Sequence, residues 1–486
     1  MAPTSSRDGN SSPFIGSEKN GNLRVPHYVE VNETGHVQEL ERNFSLFSIC
    51  SVGIVTGNSW AALGGSIAEL ASSMPSSAGP KYGRICGWFA GWWNTFAWIT
   101  ATASMSSVSG QIVVAMYGLY HPEYLPERWH IFIALPKLND VGLIFILGGV
   151  LTTMFVCAVM PHTSGTGYAT SSFVWTEWAN QTGYTSNGFV FLAGMLNGAY
   201  AVGAVDCCAH LAEEIPNPKR NIPFAIGSQM IIGFFTAFFY LIAIFYGTTD
   251  LDSVLGSAYF PLTQIYAQAT GSRAGAMGLL FLIFFPIICC CVGTFITAGR
   301  GVWTLGRDEA IPFSKTFGKI SPRFKNPFNA TLLCGVFSMI LGAIYVGSTT
   351  AFNAFIVSFA VLSTLSYLAA ILPFIFTRRF SRASHDPGPY INSMQPGPFQ
   401  MSHAVGYTIN IMACLYIVVL VIIFCFPYSL PVTAVNMNYA CLITGAISIS
   451  AAAWWAVKGG SYVGPKVLLE GDVAVRVGGE MVVKVM

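Results

Sequence analysis

Charged side chains are missing from six long windows of this chain, 85–122, 141–176, 221–249, 274–299, 326–377 and 387–457. A helix crossing a bilayer needs roughly 20 mostly apolar residues, so several windows hold one such helix and the last two hold two each. None shows the short alternating segments of a membrane β-barrel. The apolar runs predict ten spans, near 44–67, 85–118, 140–160, 187–207, 222–246, 275–298, 328–347, 351–377, 405–427 and 434–457. The fold class is therefore all-α and polytopic. Its parts are an N-terminal tail (1–43), a transmembrane core (44–457) and a C-terminal tail (458–486).

Composition sharpens this picture. Only 9% of the 486 residues are charged and 53% are hydrophobic, against about 25% charged in soluble domains. The formal net charge is +2, which argues against nucleic acid as a partner. The polar first 43 residues have no early apolar core and do not read as a signal peptide. Most of the 12 cysteines fall in apolar windows without a CxxC pair, so neither a zinc site nor a disulfide framework is expected. No phosphate loop, HExxH or GxSxG is present. An enzyme is not expected, nor a cofactor or a metal.

Basic residues orient the spans. With both tails cytoplasmic, the segments 1–43, 208–221, 299–327, 378–404 and 458–486 hold 19 of the 24 Lys and Arg. The outer loops 161–186, 247–274, 348–350 and 428–433 hold only Arg273. Outer loop 161–186 contains Asn180-Gln181-Thr182, a glycosylation sequon. The front of the chain breaks the pattern, because ten spans place Lys81 and Arg84 outside. The octet Ala68-Glu69-Leu70-Ala71-Ser72-Ser73-Met74-Pro75 also reads as the end of a helix whose beginning is absent.

Two spans carry the candidate chemistry. The first holds Gly53-Ile54-Val55-Thr56-Gly57-Asn58-Ser59-Trp60, and the fourth runs from Gly194 through Tyr200, Gly203 and Ala204 to Asp206. Glycines mixed with small polar residues weaken a helix mid-span. Broken backbone is tolerated in a membrane only where it faces protein or a water-filled cavity. Paired broken helices mark the substrate site in many transporters, where freed amides face anions and freed carbonyls face cations. Close helix packing through small residues competes as a reading of these glycines, above all for Gly64-Gly65 and Gly194-Gly198. Asp206 is an acid within an apolar span, able to neutralise an ammonium, to carry a proton, or simply to cap a half-helix. Trp60 and Tyr200 could cage a quaternary ammonium by cation–π attraction.

Four stretches carry a family resemblance. They are Asn43-Phe44-Ser45-Leu46 running into Gly57-Asn58-Ser59-Trp60; the Ala68–Pro75 octet followed by Pro80-Lys81-Tyr82-Gly83-Arg84; Asp206 with His210-Leu211-Ala212-Glu213-Glu214 and Asn217-Pro218-Lys219-Arg220; and Gly299-Arg300 through Trp303 to Phe313, ending Pro322-Arg323-Phe324-Lys325-Asn326-Pro327. In these the chain resembles the amino acid–polyamine–organocation superfamily, and within it the fungal amino acid/choline transporters, which include choline and GABA permeases. The resemblance implies twelve helices in two inverted five-helix repeats plus two more, with the site between broken helices one and six. It carries over to Gly53, Thr56, Gly57, Asn58, Ser59 and to Tyr200 through Asp206. The front repeat departs from the pattern: most of a second helix is lacking between Ile67 and Ala68, and only His130–Ala134 remains of a fourth.

The expected function is secondary transport of a small amine or amino acid such as choline or GABA by alternating access, with protons as a coupling partner and the plasma membrane as the location. Two rival readings stay open. One is a non-transporting membrane nutrient sensor of the same fold, and the other an inactive, shortened permease.

Overall fold

The computed structural model describes residues 40, 45–56, 61–73, 79–121, 142–257, 260–376, 397–462, 473–477 and 480–484. Residues 31–470 form one compact unit. Its helices are α1 (Leu46–Thr56), α2 (Ala61–Ser73), α3 (Gly79–Gly118), α4 (Gly142–Thr163), α5 (Ser171–Trp175), α6 (Asn187–Gly194), α7 (Leu196–Ala201), a 3-10 helix (Ala209–Glu214), α8 (Pro218–Tyr246), α9 (Leu251–Leu255), α10 (Pro261–Thr270), α11 (Arg273–Arg307), α12 (Ser314–Phe317), α13 (Phe328–Gly347), α14 (Thr349–Phe376), α15 (His403–Ile423) and α16 (Ala440–Lys458). Outside that unit, strands β1 (Val473–Val477) and β2 (Glu480–Lys484) pair antiparallel, with Val475 opposite Val482. This valine-rich hairpin adds to the tail expected there.

Among the described residues, α3, α4, α8, α11, α14, α15 and α16 are long and apolar enough to cross a membrane, and α1 and α13 are shorter apolar helices. The segment predicted as the fourth span is interrupted, as its glycines suggested: α6 and α7 meet at Met195, regular helix stops at Ala201, and a 3-10 helix follows. The protein is thus an all-α, multi-pass membrane protein. Within the most apolar stretch of α3, 67% is buried, against 11% for α16. The bundle is therefore wrapped around α3, which packs chiefly on α14 and α11. The outer faces of α8 and α16 carry Phe234, Phe238, Leu442 and Ile449 exposed, the surface that lipid covers.

The front of the chain differs from the predicted single helix over 44–67. It forms two helices, and α2 joins Ala61–Ile67 to the Ala68–Ser73 stretch that looked detached. Both lean on α8. Helix α1 places Gly53 near Gln229 of α8. Helix α2 runs antiparallel to α15. Ser66 donates to Asn410 Oδ1 at 2.8 Å, Glu69 Oε1 accepts from Met401 N at 2.9 Å, and Ser72 Oγ accepts from Phe399 N at 2.9 Å. The last two bonds serve backbone amides at the entry of α15.

This geometry corrects the placement of Arg84. Its Nε donates to Tyr462 O at 2.8 Å and its Nη2 donates to Gly459 O, just past the end of α16. A guanidinium there meets the orphan carbonyls and negative end of that helix. Trp88, Trp455 and Tyr462 pack edge to face beside it. The start of α3 thus lies on the face of the basic segment after α16, and the apparent breach of the charge rule disappears. The reason is that α2 runs antiparallel to α15 and ends beside that helix's entry, instead of continuing a single crossing.

Labelling with a membrane-impermeant thiol reagent, in a chain with Cys441 replaced, tests this. Ile85→Cys and Lys458→Cys should react from one side and Tyr168→Cys from the other. Reaction of Ile85→Cys together with Tyr168→Cys would restore the single-crossing topology.

Candidate functional site

The break after α7 is organised around Asp206, which is 7% exposed. Tyr367 of α14 donates to its Oδ1 at 2.5 Å. Its Oδ2 accepts from Asn94 Nδ2 at 2.5 Å and from Trp98 Nε1 at 3.3 Å, both on α3, and lies 3.1 Å from His210 Nε2. A buried carboxylate needs such donors, because its desolvation is otherwise uncompensated. Asp206 therefore ties the broken segment to α3 and α14. In this state its oxygens face protein donors on every side that the described residues form.

The backbone freed by the break is also met. Tyr367 OH reaches Gly203 O at 2.8 Å, and Gln229 Nε2 of α8 donates to Ala204 O at 3.2 Å. Helix α1 comes against the same stretch. Cys208 Sγ donates to Ile49 O at 3.6 Å, and a Cβ on Gly53 would stand 2.8 Å from that sulfur and 3.4 Å from Gln229 Oε1. Glycine at 53 is what permits this approach. Thr56 ends α1 beside α11: its carbonyl accepts from Cys290 Sγ at 3.6 Å, and a Cβ on Gly293 would meet its Oγ1 at 2.9 Å. Tyr200 points elsewhere, donating to Ser104 Oγ at 2.9 Å and packing edge to face on Phe359, which in turn packs on Trp98.

The structure thus brings Gly53, Gly203, Ala204 and Asp206 into one connected cluster, with Thr56 on its α11 side and Tyr200 on its α3 side. Gly57, Asn58, Ser59 and Trp60 lie outside the described residues. Asn94, Gln229, Phe359 and Tyr367 were not singled out in the sequence. Asn94 and Gln229 carried a signal, as amides in otherwise apolar helices. Tyr367 carried none, because a tyrosine in a span is ordinary.

Below this cluster two ion pairs join the 3-10 helix to α11. Arg300 Nε lies 2.6 Å from Glu214 Oε1, and Arg307 Nη1 lies 2.8 Å from Glu213 Oε1. Arg307 also stacks over Trp303 at 4.6 Å. The Glu-Glu and Gly-Arg motifs of the sequence are therefore halves of one clamp. Beyond it, Gly306 and Gly318 touch backbone to backbone, where a Cβ on Gly306 would come 2.6 Å from Gly318 N.

The loop predicted to carry a glycan is folded. Asn180 Nδ2 donates to Tyr184 O at 2.8 Å and to Asn187 Oδ1 at 3.2 Å, while Thr182 Oγ1 donates to Asn180 Oδ1 at 2.8 Å. Tyr184 OH then reaches Pro427 O at 2.9 Å, pinning this loop to the α15–α16 connection.

This all-α, multi-pass bundle, with its broken segment after α7 set against α1 at Gly53, has the fold of a membrane transporter. Residues 45–447 match the amino acid permease family, and the chain belongs to it. It is similar to the choline transporter of Saccharomyces cerevisiae, 30% identical over 482 aligned positions that cover 86% of this chain and 82% of that one. It is also similar to the 7-keto 8-aminopelargonic acid transporter of the same yeast (28% identity, 76% and 70% covered) and to the amino-acid permease BAT1 of Arabidopsis thaliana (27%, 88% and 93%). The 482-position alignment draws on 86% of 486 residues, about 420, so the choline transporter carries about 60 residues that this chain skips. That shortfall has the size of two spans with their connectors.

Removing one member of a buried ion pair costs about 3–5 kcal/mol, whereas replacing both by apolar residues is often neutral. Glu214→Gln should therefore lower the thermal stability of the purified protein sharply, and Glu214→Leu with Arg300→Met should recover most of the loss. Equal stability of Glu214→Gln and the parent would show that the pair is solvated.

Proposed function

We propose that this chain is a plasma-membrane permease that moves a small amine or amino acid by alternating access, with both tails cytoplasmic. The observation that carries the reading is the meeting of α1 with the broken segment after α7, where Gly53 stands against Cys208 and Gln229, and Gln229 holds Ala204 O. The substrate site comprises Gly53, Thr56, Gly57, Asn58, Ser59, Trp60, Tyr200, Gly203, Ala204 and Asp206. The ammonium meets freed carbonyls near Gly53 and the helix-six break. A carboxylate, where the substrate has one, meets amides at Gly57 to Ser59. The names of the yeast and plant relatives support choline and amino acids as the substrate range.

Asp206 acts in this reading through the network rather than as a free counter-ion. Binding of a cation requires Asn94, Trp98, His210 or Tyr367 to release one of its oxygens. That exchange loosens the broken segment from α3 and α14 and so links occupancy to movement. Protons are the proposed coupling ion, with Asp206 as the residue that carries one. Asn180 is a glycosylation site in this reading, modified before its loop folds, because its amide is engaged afterwards. A shortened permease without activity is the second reading, favoured by the residues missing relative to the choline transporter.

Uptake of labelled choline, GABA and a panel of amino acids in yeast lacking its own permeases separates the two. Saturable uptake of one compound is expected. None, with the chain verified at the surface, would leave the shortened, inactive reading and the non-transporting sensor. With uptake in hand, Trp60→Leu should weaken choline transport more than amino-acid transport; equal losses would remove the aromatic cage. Tyr367→Phe removes the one hydroxyl proton that Asp206 Oδ1 and Gly203 O share, leaving a buried acceptor unsatisfied at a cost of about 1–3 kcal/mol. It should cut uptake and lower stability together, and unchanged uptake would take Asp206's network out of the transport cycle.

A further inference from the structure

Cys207 and Cys208 are adjacent in the broken segment after α7, and both are 0% exposed. Neighbours on a regular helix point about 100° apart, which keeps their side chains from meeting. The break lifts that constraint: Cys207 Sγ lies 3.8 Å from Cys208 Sγ, in van der Waals contact. Cys208 Sγ gives its proton to Ile49 O at 3.6 Å, so Cys207 is left to donate to Cys208. The cysteines of α11 sit on unbroken helix and part company. Cys290 Sγ goes to Thr56 O at 3.6 Å, and Cys291 Sγ pairs with Ser106 Oγ at 3.2 Å. Cys207 and Cys208 are thus a dithiol, two soft sulfurs at one place. Among the described residues no group of three or more His, Cys, Asp or Glu is placed to hold a metal ion. A zinc-type ion, which takes four ligands, has no cage here. A trivalent organoarsenic centre already carries one carbon and asks for only two sulfurs.

We propose that Cys207 and Cys208 form a chelating site for trivalent arsenic compounds of the type R–As(OH)2, and that filling it locks the broken segment. Two As–O bonds break and two As–S bonds form. Each thiol proton leaves with a displaced hydroxide as water. Arsenic stays trivalent, so no oxidant or reductant is needed. The reagent is uncharged, which suits a site enclosed by membrane-spanning helices. The lock follows from what surrounds the sulfurs. The adduct removes the proton that Cys208 gives to Ile49 O. Helix α1 leaves it no spare room, because a single carbon added at Gly53 would already stand 2.8 Å from Cys208 Sγ. An arsenic centre and its substituent therefore hold α1 and the broken segment apart. Binding stands on the dithiol geometry alone, whereas the lock rests on the transport reading above.

The purified full chain in nanodiscs is treated with phenylarsine oxide, which hydrates to such a dihydroxide, and read by intact mass and peptide mapping. A phenylarsenic adduct is expected on the peptide that holds Cys207 and Cys208. Added 2,3-dimercaptopropanol should remove it, and 2-mercaptoethanol at equal thiol concentration should not. A second linked contact raises binding by about 10²–10⁴-fold, so Cys207→Ala and Cys208→Ser should each weaken the adduct by that order. Cys289→Ser with Cys291→Ser, which leaves α11 a single thiol in that run, should keep it. An adduct that maps to α11, or none at all, would overturn the site in the parent chain, whether or not the variants fold. Uptake of the transported substrate into proteoliposomes holding the same chain should stop with the adduct and return with 2,3-dimercaptopropanol. A complete adduct with unchanged uptake would overturn the lock. An adduct on a chain that shows no uptake before treatment would keep the site and remove the transport reading instead.

Discussion

A carboxylate at bilayer depth survives only where its charge is answered at close range, and Asp206 is answered by Asn94, Trp98, His210 and Tyr367. The rest of the centre depends on that arrangement. All the donors but His210, which belongs to the 3-10 helix that follows, come from α3 and α14, the two helices that make the most extensive contact in the bundle. One of them, Tyr367, also satisfies a carbonyl that the broken helix leaves free. The interruption is therefore held in place by the acid it contains. Polar networks of this kind specify one arrangement when complete and are costly when partly unmade. That is the property a segment needs if it is to have two defined states.

The same accounting explains why cysteines and glycines crowd the centre. Ile49 O and Thr56 O each receive a thiol, from Cys208 and Cys290, and Ala204 O receives the amide of Gln229. Thiols are small enough to sit between helices in contact, and Gly53 makes room for one of them. The cysteine-rich stretch of α11 is thus packing and capping material, consistent with the buried, apolar role read from its surroundings.

Topology follows from a second electrostatic constraint. Arg84 looked misplaced only while α1 and α2 were counted as one crossing. With its guanidinium on the carbonyls after α16, it joins the basic face together with Lys458. The Glu213–Arg307 and Glu214–Arg300 pairs lie on the side of that face and bind the end of the broken segment to α11. The broken segment after α7 is thereby anchored twice, by the Asp206 network and by the ion pairs of the 3-10 helix. Whatever moves it must release one anchor while the other holds.

Much of this was legible in the residues. Long charge-free windows without the alternation of a barrel determine that the spans are helices, because in lipid only helices and closed barrels satisfy the backbone. Glycines mixed with polar residues mark where those helices break, as they do after Ala201. What the residues alone could not decide were relations between distant helices. Asn94, Gln229 and Tyr367 become part of the centre only because α3, α8 and α14 converge on it. Arg84 finds its face only because α3 starts beside the end of α16. Hydropathy is a property of a single segment, whereas a hydrogen bond across 161 residues of sequence, such as Tyr367 to Asp206, exists only once packing has brought its two ends together.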